Sequence, residues 1–96
     1  MATLLIEYPV TDIDAWLAGF RSSADDRAHI GVRAERIRQC VDGARTILVD
    51  LDFEDLDAAV AFKRVLEEVT WPARDPLPGV EGTPTARLLD DVDTSP

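Results

Sequence analysis

The chain is short of cysteine, histidine and positive charge, and each shortage removes a class of activity. Cys40 stands alone among 96 residues, which excludes an internal disulfide and a multi-cysteine metal site and agrees with a reducing compartment. His29 is the single histidine; with no second His or Cys close by in the sequence, no metal is expected. Ten basic residues face nineteen acidic ones, a net charge of −9. A field of that sign repels phosphate backbones, so nucleic acid is not an expected partner. The longest apolar runs, Leu4-Leu5-Ile6 and Ile47-Leu48-Val49, fall far short of the about 18 residues of a spanning helix, and no membrane segment is expected. Nor does the N-terminus carry the basic and long apolar regions of a secretory signal, so a cytoplasmic location is expected. No glycine-rich phosphate loop, serine nucleophile elbow or Cys/His pair is present, and no cofactor is expected.

What the sequence does contain is an ordinary globular composition, 46% hydrophobic and 30% charged, read as one domain over residues 1–90 and an acidic tail over 91–96. A domain of this size hides only roughly 60 to 65% of its unfolded surface, so its core is thin and a partner subunit would add to it. Half of the basic residues, Arg27, Arg33, Arg36, Arg38 and Arg45, fall in one segment opposed only by Glu35 and Asp42. Such a cluster marks a solvated strand face or a set of partners for neighbouring acids, and in occasional cases an anion site.

Along the chain, Thr3–Val10 reads as a strand ended by Pro9, with Leu4, Ile6 and Tyr8 on one face and Leu5 and Glu7 on the other. Thr11 or Asp12 can cap a helix that the stripe Ile13, Trp16, Leu17, Phe20, Ala24, Ala28 carries from Asp12 to Ile30, where Gly31 stops it. Val32–Val41 and Thr46–Phe53 then form a hairpin about Asp42-Gly43. In its first strand the apolar parity changes between Val32/Ala34 and Ile37/Val41, which predicts a bulge near Glu35. Glu54-Asp55 opens a second helix with the stripe Ala58, Ala59, Phe62, Val65, Leu66, Val69, closed by Trp71-Pro72. Ala73–Pro84 reads as a loop and Thr85–Asp90 as a last strand.

Strand, helix, strand, strand, helix, strand is the ferredoxin-like βαββαβ order, an α+β fold with two helices on one face of a four-stranded antiparallel sheet. Leu5, Leu48, Leu89 and Ile37 are then expected on the helix-free face, among Glu7, Asp50, Asp52 and Arg87. Apolar groups between charges on an open sheet predict a homodimer through that face. The segments Val10-Thr11-Asp12-Ile13-Asp14-Ala15-Trp16-Leu17-Ala18-Gly19-Phe20, Gly31-Val32-Arg33-Ala34, Val49-Asp50-Leu51-Asp52-Phe53 and Ala58-Ala59-Val60-Ala61-Phe62, with the Asp42-Gly43 turn, resemble the dimeric α/β-barrel superfamily that includes the antibiotic biosynthesis monooxygenase-like proteins. The resemblance spans about Leu4 to Leu89. It implies a homodimer whose sheets share a barrel and a pocket between each sheet and its own helices. The haem-degrading branch of that superfamily uses a His on the second helix and an Asn; here that helix has no His and the chain no Asn, so haem degradation is rejected.

Tyr8, Trp16, Phe20, Phe62 and Trp71 are the candidates to line a pocket for a flat aromatic molecule, although all but Trp71 also fit core stripes. Cofactor-free monooxygenases of the resembled family deprotonate an aromatic substrate and hold its anion, which calls for a base and a positive or hydrogen-bonding group. His29 as base and Arg87 or Arg36 as anion holder are the candidates for those roles, while the first reading of His29 is as a cap of its own helix. The expected function is therefore a homodimer that binds a small aromatic molecule, with a cofactor-free monooxygenase or cyclase of aromatic polyketide-like substrates as the alternative and a structural or regulatory partner module as the third reading.

Overall fold

The computed structural model of the chain describes residues 2–42, 45–73 and 78–95. The second half of the expected Asp42-Gly43 turn, part of the expected Ala73–Pro84 loop and the last residue of the tail lie outside them. Strand β1 (Ala2–Pro9) lies at the centre of the sheet, between β3 (Thr46–Phe53) and β4 (Thr85–Asp90), and β2 (Val32–Gln39) completes the order β2-β3-β1-β4. All three pairings are antiparallel. Because side chains alternate across a strand, the register Leu4↔Leu51, Ile6↔Val49, Tyr8↔Ile47 puts one apolar set on one face and leaves Leu5↔Asp50 and Glu7↔Leu48 on the other. The first set is buried with Trp16, Ala59, Leu66 and Trp71, so every helix lies on that side. The order of elements is the βαββαβ arrangement expected. No helix among the described residues is long and apolar enough to cross a membrane.

Two local departures shape the site. The first helix is not continuous: α1 (Ile13–Ser22) ends at Ser23, and α2 (Ala24–His29) follows at an elbow. Asp12 caps α1 by accepting from the Ala15 amide at 3.1 Å. At its far end the Ser22 hydroxyl donates to the Gly19 carbonyl and the Ser23 hydroxyl to that of Phe20. Those carbonyls would otherwise extend the helix, and serine side chains compete for them. The second helix, α3 (Leu56–Val65), is capped by Asp55 on the Ala58 amide at 2.8 Å and runs into a π-helical turn, Leu66–Thr70, before a last helical turn, Trp71–Ala73. In an α-helix, Leu66 and Trp71 would point about 140° apart. The wider turn, in which the Trp71 amide donates to the Leu66 carbonyl, lets both turn inward. Val69, expected on the buried stripe, is instead 60% exposed.

The expected bulge exists but lies at Arg33, between Val32 and Ala34. The inserted residue reverses the parity of the strand, so Glu35 pairs with Leu51 and Ile37 with Val49 on the helix side, while Arg36 and Arg38 face the open side. Ile37 therefore does not belong to the helix-free face. It remains 43% exposed because β2 is an edge strand.

Beyond the loop, Pro78–Glu81 is tied back to the link between β1 and α1. Gly79 accepts from the Thr11 amide at 2.8 Å, Glu81 donates to Pro9 at 2.7 Å, and Val10 and Val80 form a bridge. Gly79 has φ +71°, and a Cβ there would collide with the Asp12 carbonyl and come within 2.9 Å of the Trp16 amide. Gly79→Ala is accordingly expected to destabilise the fold by about 2 kcal/mol or more, through a left-handed backbone conformation and overpacking together. Urea denaturation checks it, and an unchanged midpoint would mean that this segment is not held as described.

Candidate functional site

Between the helix side of the sheet and the helices lies a cavity of about 320 Å³, at the lower end of the range of small-molecule pockets. Ile6, Val49 and Leu51 form its apolar floor, α1 and α3 its walls, and Pro78 and Val80 close one end. The π turn adds Leu66 and Thr70 to the lining and sets Trp71 beside them. Asp26, Ile30 and Val65 both line the cavity and reach solvent, so they bound its mouth.

All five aromatic candidates line this cavity, four of them in one series. The Phe20 ring stacks on Trp16 at 5.0 Å and 11°, Trp16 tilts against Tyr8 at 5.3 Å, and Tyr8 meets Trp71 edge-on at 6.3 Å. Phe62 lies apart, 5.7 Å from Phe53. Offset and edge-to-face rings of this kind keep flat surfaces in fixed orientation. Trp16 and Trp71 are nearly buried, whereas Tyr8, Phe20 and Phe62 are half-buried, as expected of rings that border a void.

No family model and no curated protein matches the chain. Solved structures match it over nearly its full length. SnoaB, a cofactor-independent oxygenase from Streptomyces nogalater, is 17% identical with a TM-score of 0.68 and covers 99% of this chain and 96% of its own. The monooxygenase of the ActVA-Orf6 gene of Streptomyces coelicolor, solved with the ligand nanaomycin D, is 16% identical with a TM-score of 0.65, over 98% and 89%. An uncharacterised NIPSNAP domain protein from Burkholderia xenovorans is 14% identical with a TM-score of 0.66, over 100% and 99%. The chain has the antibiotic biosynthesis monooxygenase-like fold. At such identities the likeness is one of architecture, and the chemistry has to be read from the residues of this chain.

In this example of the antibiotic biosynthesis monooxygenase-like fold, the three candidates for base and anion holder are not brought together at the cavity. His29 is exposed at the end of α2 and does not line the cavity. Arg87 pairs with Leu5 in the sheet, which puts it, exposed, on the face away from the helices. Arg36 lies on that face too, opposite Asp50. The physical reason is the strand alternation: a residue in register with Leu5 cannot reach a pocket floored by Ile6. The acids Asp50 and Asp52 are engaged locally, with Arg38 at 2.8 Å and the Thr3 hydroxyl at 2.7 Å. Among the described residues no three His, Cys, Asp or Glu side chains converge as a metal site would need.

Instead, the cation at the cavity is Arg27, the one buried charged residue among those described, at 9% exposure. The sequence placed it within a basic cluster but offered no signal of burial. Its guanidinium pairs with Glu35 and lies 3.5 Å above the Phe20 ring. The polar group on the floor is the Tyr8 hydroxyl. Burial pushes its pKa up from 10.0 to about 12, which the neighbouring Trp71 and the Arg27 charge only partly offset. At neutral pH Tyr8 is therefore a neutral phenol, able to donate a hydrogen bond and a poor base. As the only tyrosine, it can be titrated directly by ultraviolet absorbance, with a midpoint expected near pH 12. The unfolded chain loses this proton first, so stability is expected to fall as pH rises from 10 to 12. A midpoint at pH 10 in the folded protein would show the hydroxyl to be solvated.

Proposed function

We propose that the protein binds a small planar aromatic molecule, in its neutral form, in the cavity between sheet and helices. The observation that carries this reading is the lining itself: a series of oriented rings over an apolar floor, with a neutral phenol as donor and a guanidinium already matched by a carboxylate. Flat rings supply stacking area, and Tyr8 supplies a donor for a carbonyl or hydroxyl oxygen of the ligand. A ligand anion would bring a further charge into a site whose cation is already paired with Glu35, at a desolvation cost that nothing else among the described lining residues offsets.

Both tryptophans of the chain line the cavity, so their fluorescence reports occupancy. Titration with 2-naphthol is expected to quench it, and 2-naphthoate, the anion of similar shape, to bind about tenfold more weakly or worse. Equal affinities would overturn the preference for a neutral ligand, and no quenching by either would overturn the cavity as the site.

The second reading, cofactor-free oxygenation of an aromatic hydroxyl compound, is favoured by the oxygenases that share the fold. It requires the substrate anion to be held, and the same titration bears on it: tighter binding of the anion, with uptake of dissolved oxygen from a dihydroxynaphthalene above its rate in buffer, would replace the first reading by this one.

The helix-free face supports assembly as a homodimer. Leu5 and Leu48 are half-buried there, and Leu89 is exposed, with acids on the central strands β1 and β3 and Arg36, Arg38 and Arg87 on the edges. Sedimentation at micromolar concentration is expected to give a dimer, and Leu48→Glu to shift it to monomer while circular dichroism is retained. A folded wild-type monomer would exclude this assembly.

A further inference from the structure

Within α2, Arg27 is the only buried residue; Ala24, Asp25, Asp26, Ala28 and His29 are all exposed. A six-residue helix has little stability of its own and is ordinarily held by an apolar face. Here a guanidinium holds it. Arg27 reaches Glu35 on β2 through Nε and through Nη2, the latter at 3.4 Å. Its Nη1 donates to the Phe20 carbonyl at 2.6 Å and to the Ser23 hydroxyl at 2.9 Å. Four of its five N–H donors are thereby taken within the chain. One face of the guanidinium covers the Phe20 ring. A single side chain thus ties together the end of α1, the elbow at Ser23, the first ring of the aromatic series and the edge strand of the sheet. The helix it holds contributes Asp26 and Arg27 to the cavity lining, beside Ser23 of the elbow, and forms one bank of its mouth.

We propose that Arg27 is a positioning residue: paired with Glu35, it latches α2 as a lid at the mouth of the cavity, hinged at Ser23, and holds it against the Phe20 ring of α1. The lid serves the ligand site proposed above and rests on that reading. Because the latch is an ion pair with directed hydrogen bonds, its release loses little apolar contact beyond the covered face of the Phe20 ring. Opening of α2 is then a local event, separate from unfolding of the strands beneath.

Two variants test this. Glu35→Gln removes the charge of the latch and keeps an acceptor, and Arg27→Met removes the donors and keeps much of the stem. In Glu35→Gln, a position whose side chain does not line the cavity, stopped-flow tryptophan quenching by 2-naphthol is expected to show association and dissociation both accelerated, by about tenfold, with the dissociation constant changed by less than about threefold. In Arg27→Met both rates are expected to rise at least as much. The double variant is expected to be no faster than Arg27→Met alone, since both changes break one interaction. Amide exchange across residues 24–29 is expected to speed up about tenfold in Glu35→Gln while exchange in β1 and β3 stays unchanged. Unchanged rates, or α2 amides as protected in Glu35→Gln as in wild type, would overturn the latch. So would an unchanged association rate with much weakened binding, which would mean that Arg27 holds the ligand itself. Should the wild type not take up 2-naphthol, the ligand reading falls, and the exchange of α2 alone decides the latch.

Discussion

The register of β1 against β3 is the constraint on which the other features depend. It sets Leu4, Ile6 and Tyr8 beside Leu51, Val49 and Ile47, and a shift by one residue would turn both strands over. The helices have only that apolar face on which to bury Trp16, Ala59, Leu66 and Trp71. The opposite face is left with Leu5, Leu48 and an array of charges. Pocket and helix-free face are in this sense two results of one alternation. The same alternation separates Tyr8, on the cavity floor, from Arg87, on the far side of the sheet.

A thin core accounts for the cavity. The floor is almost completely covered, with Val49 and Leu51 at 1% exposure, but the helices above it approach unevenly. The elbow at Ser23 redirects the chain after Phe20, and the π turn brings Trp71 inward from a position that a regular helix would have turned aside. Each departure is stabilised by a specific contact: the elbow by Arg27 and two serine hydroxyls, the inward Trp71 by its edge-on contact with Tyr8. The segment about Gly79 then seals one end against the Asp12 carbonyl and the amide of Trp16.

The electrostatics of the site follow from which charges are buried. The chain is strongly acidic, yet the cavity lies next to a cation. That cation is matched by Glu35, which the bulge at Arg33 turns to the helix side of β2. Without the extra residue Glu35 would face away from Arg27. A one-residue irregularity in an edge strand therefore decides both the pairing of the buried arginine and the charge presented at the mouth of the cavity. The raised pKa of Tyr8 belongs to the same environment, in which burial disfavours a new negative charge more than Arg27 favours it.

By itself, the sequence determined the order of strands and helical segments, the acidic helix starts at Thr11-Asp12 and Glu54-Asp55, and the two faces of β1 and β3. Each of these is written in local periodicity or in a side chain's bond to its own backbone. It also marked Tyr8, Trp16, Phe20, Phe62 and Trp71, because bulky rings on helix-facing positions have nowhere else to go. Only the tertiary structure decided that these rings border a void, that His29 and Arg87 lie away from it, and that Arg27 lies beside it. Those outcomes depend on a helix break, a π turn and a bulge, each a shift of about one residue whose cost is repaid by distant contacts. Local pattern cannot register such shifts, since the residues that stabilise them, Glu35 for Arg27 and Tyr8 for Trp71, come from other parts of the chain.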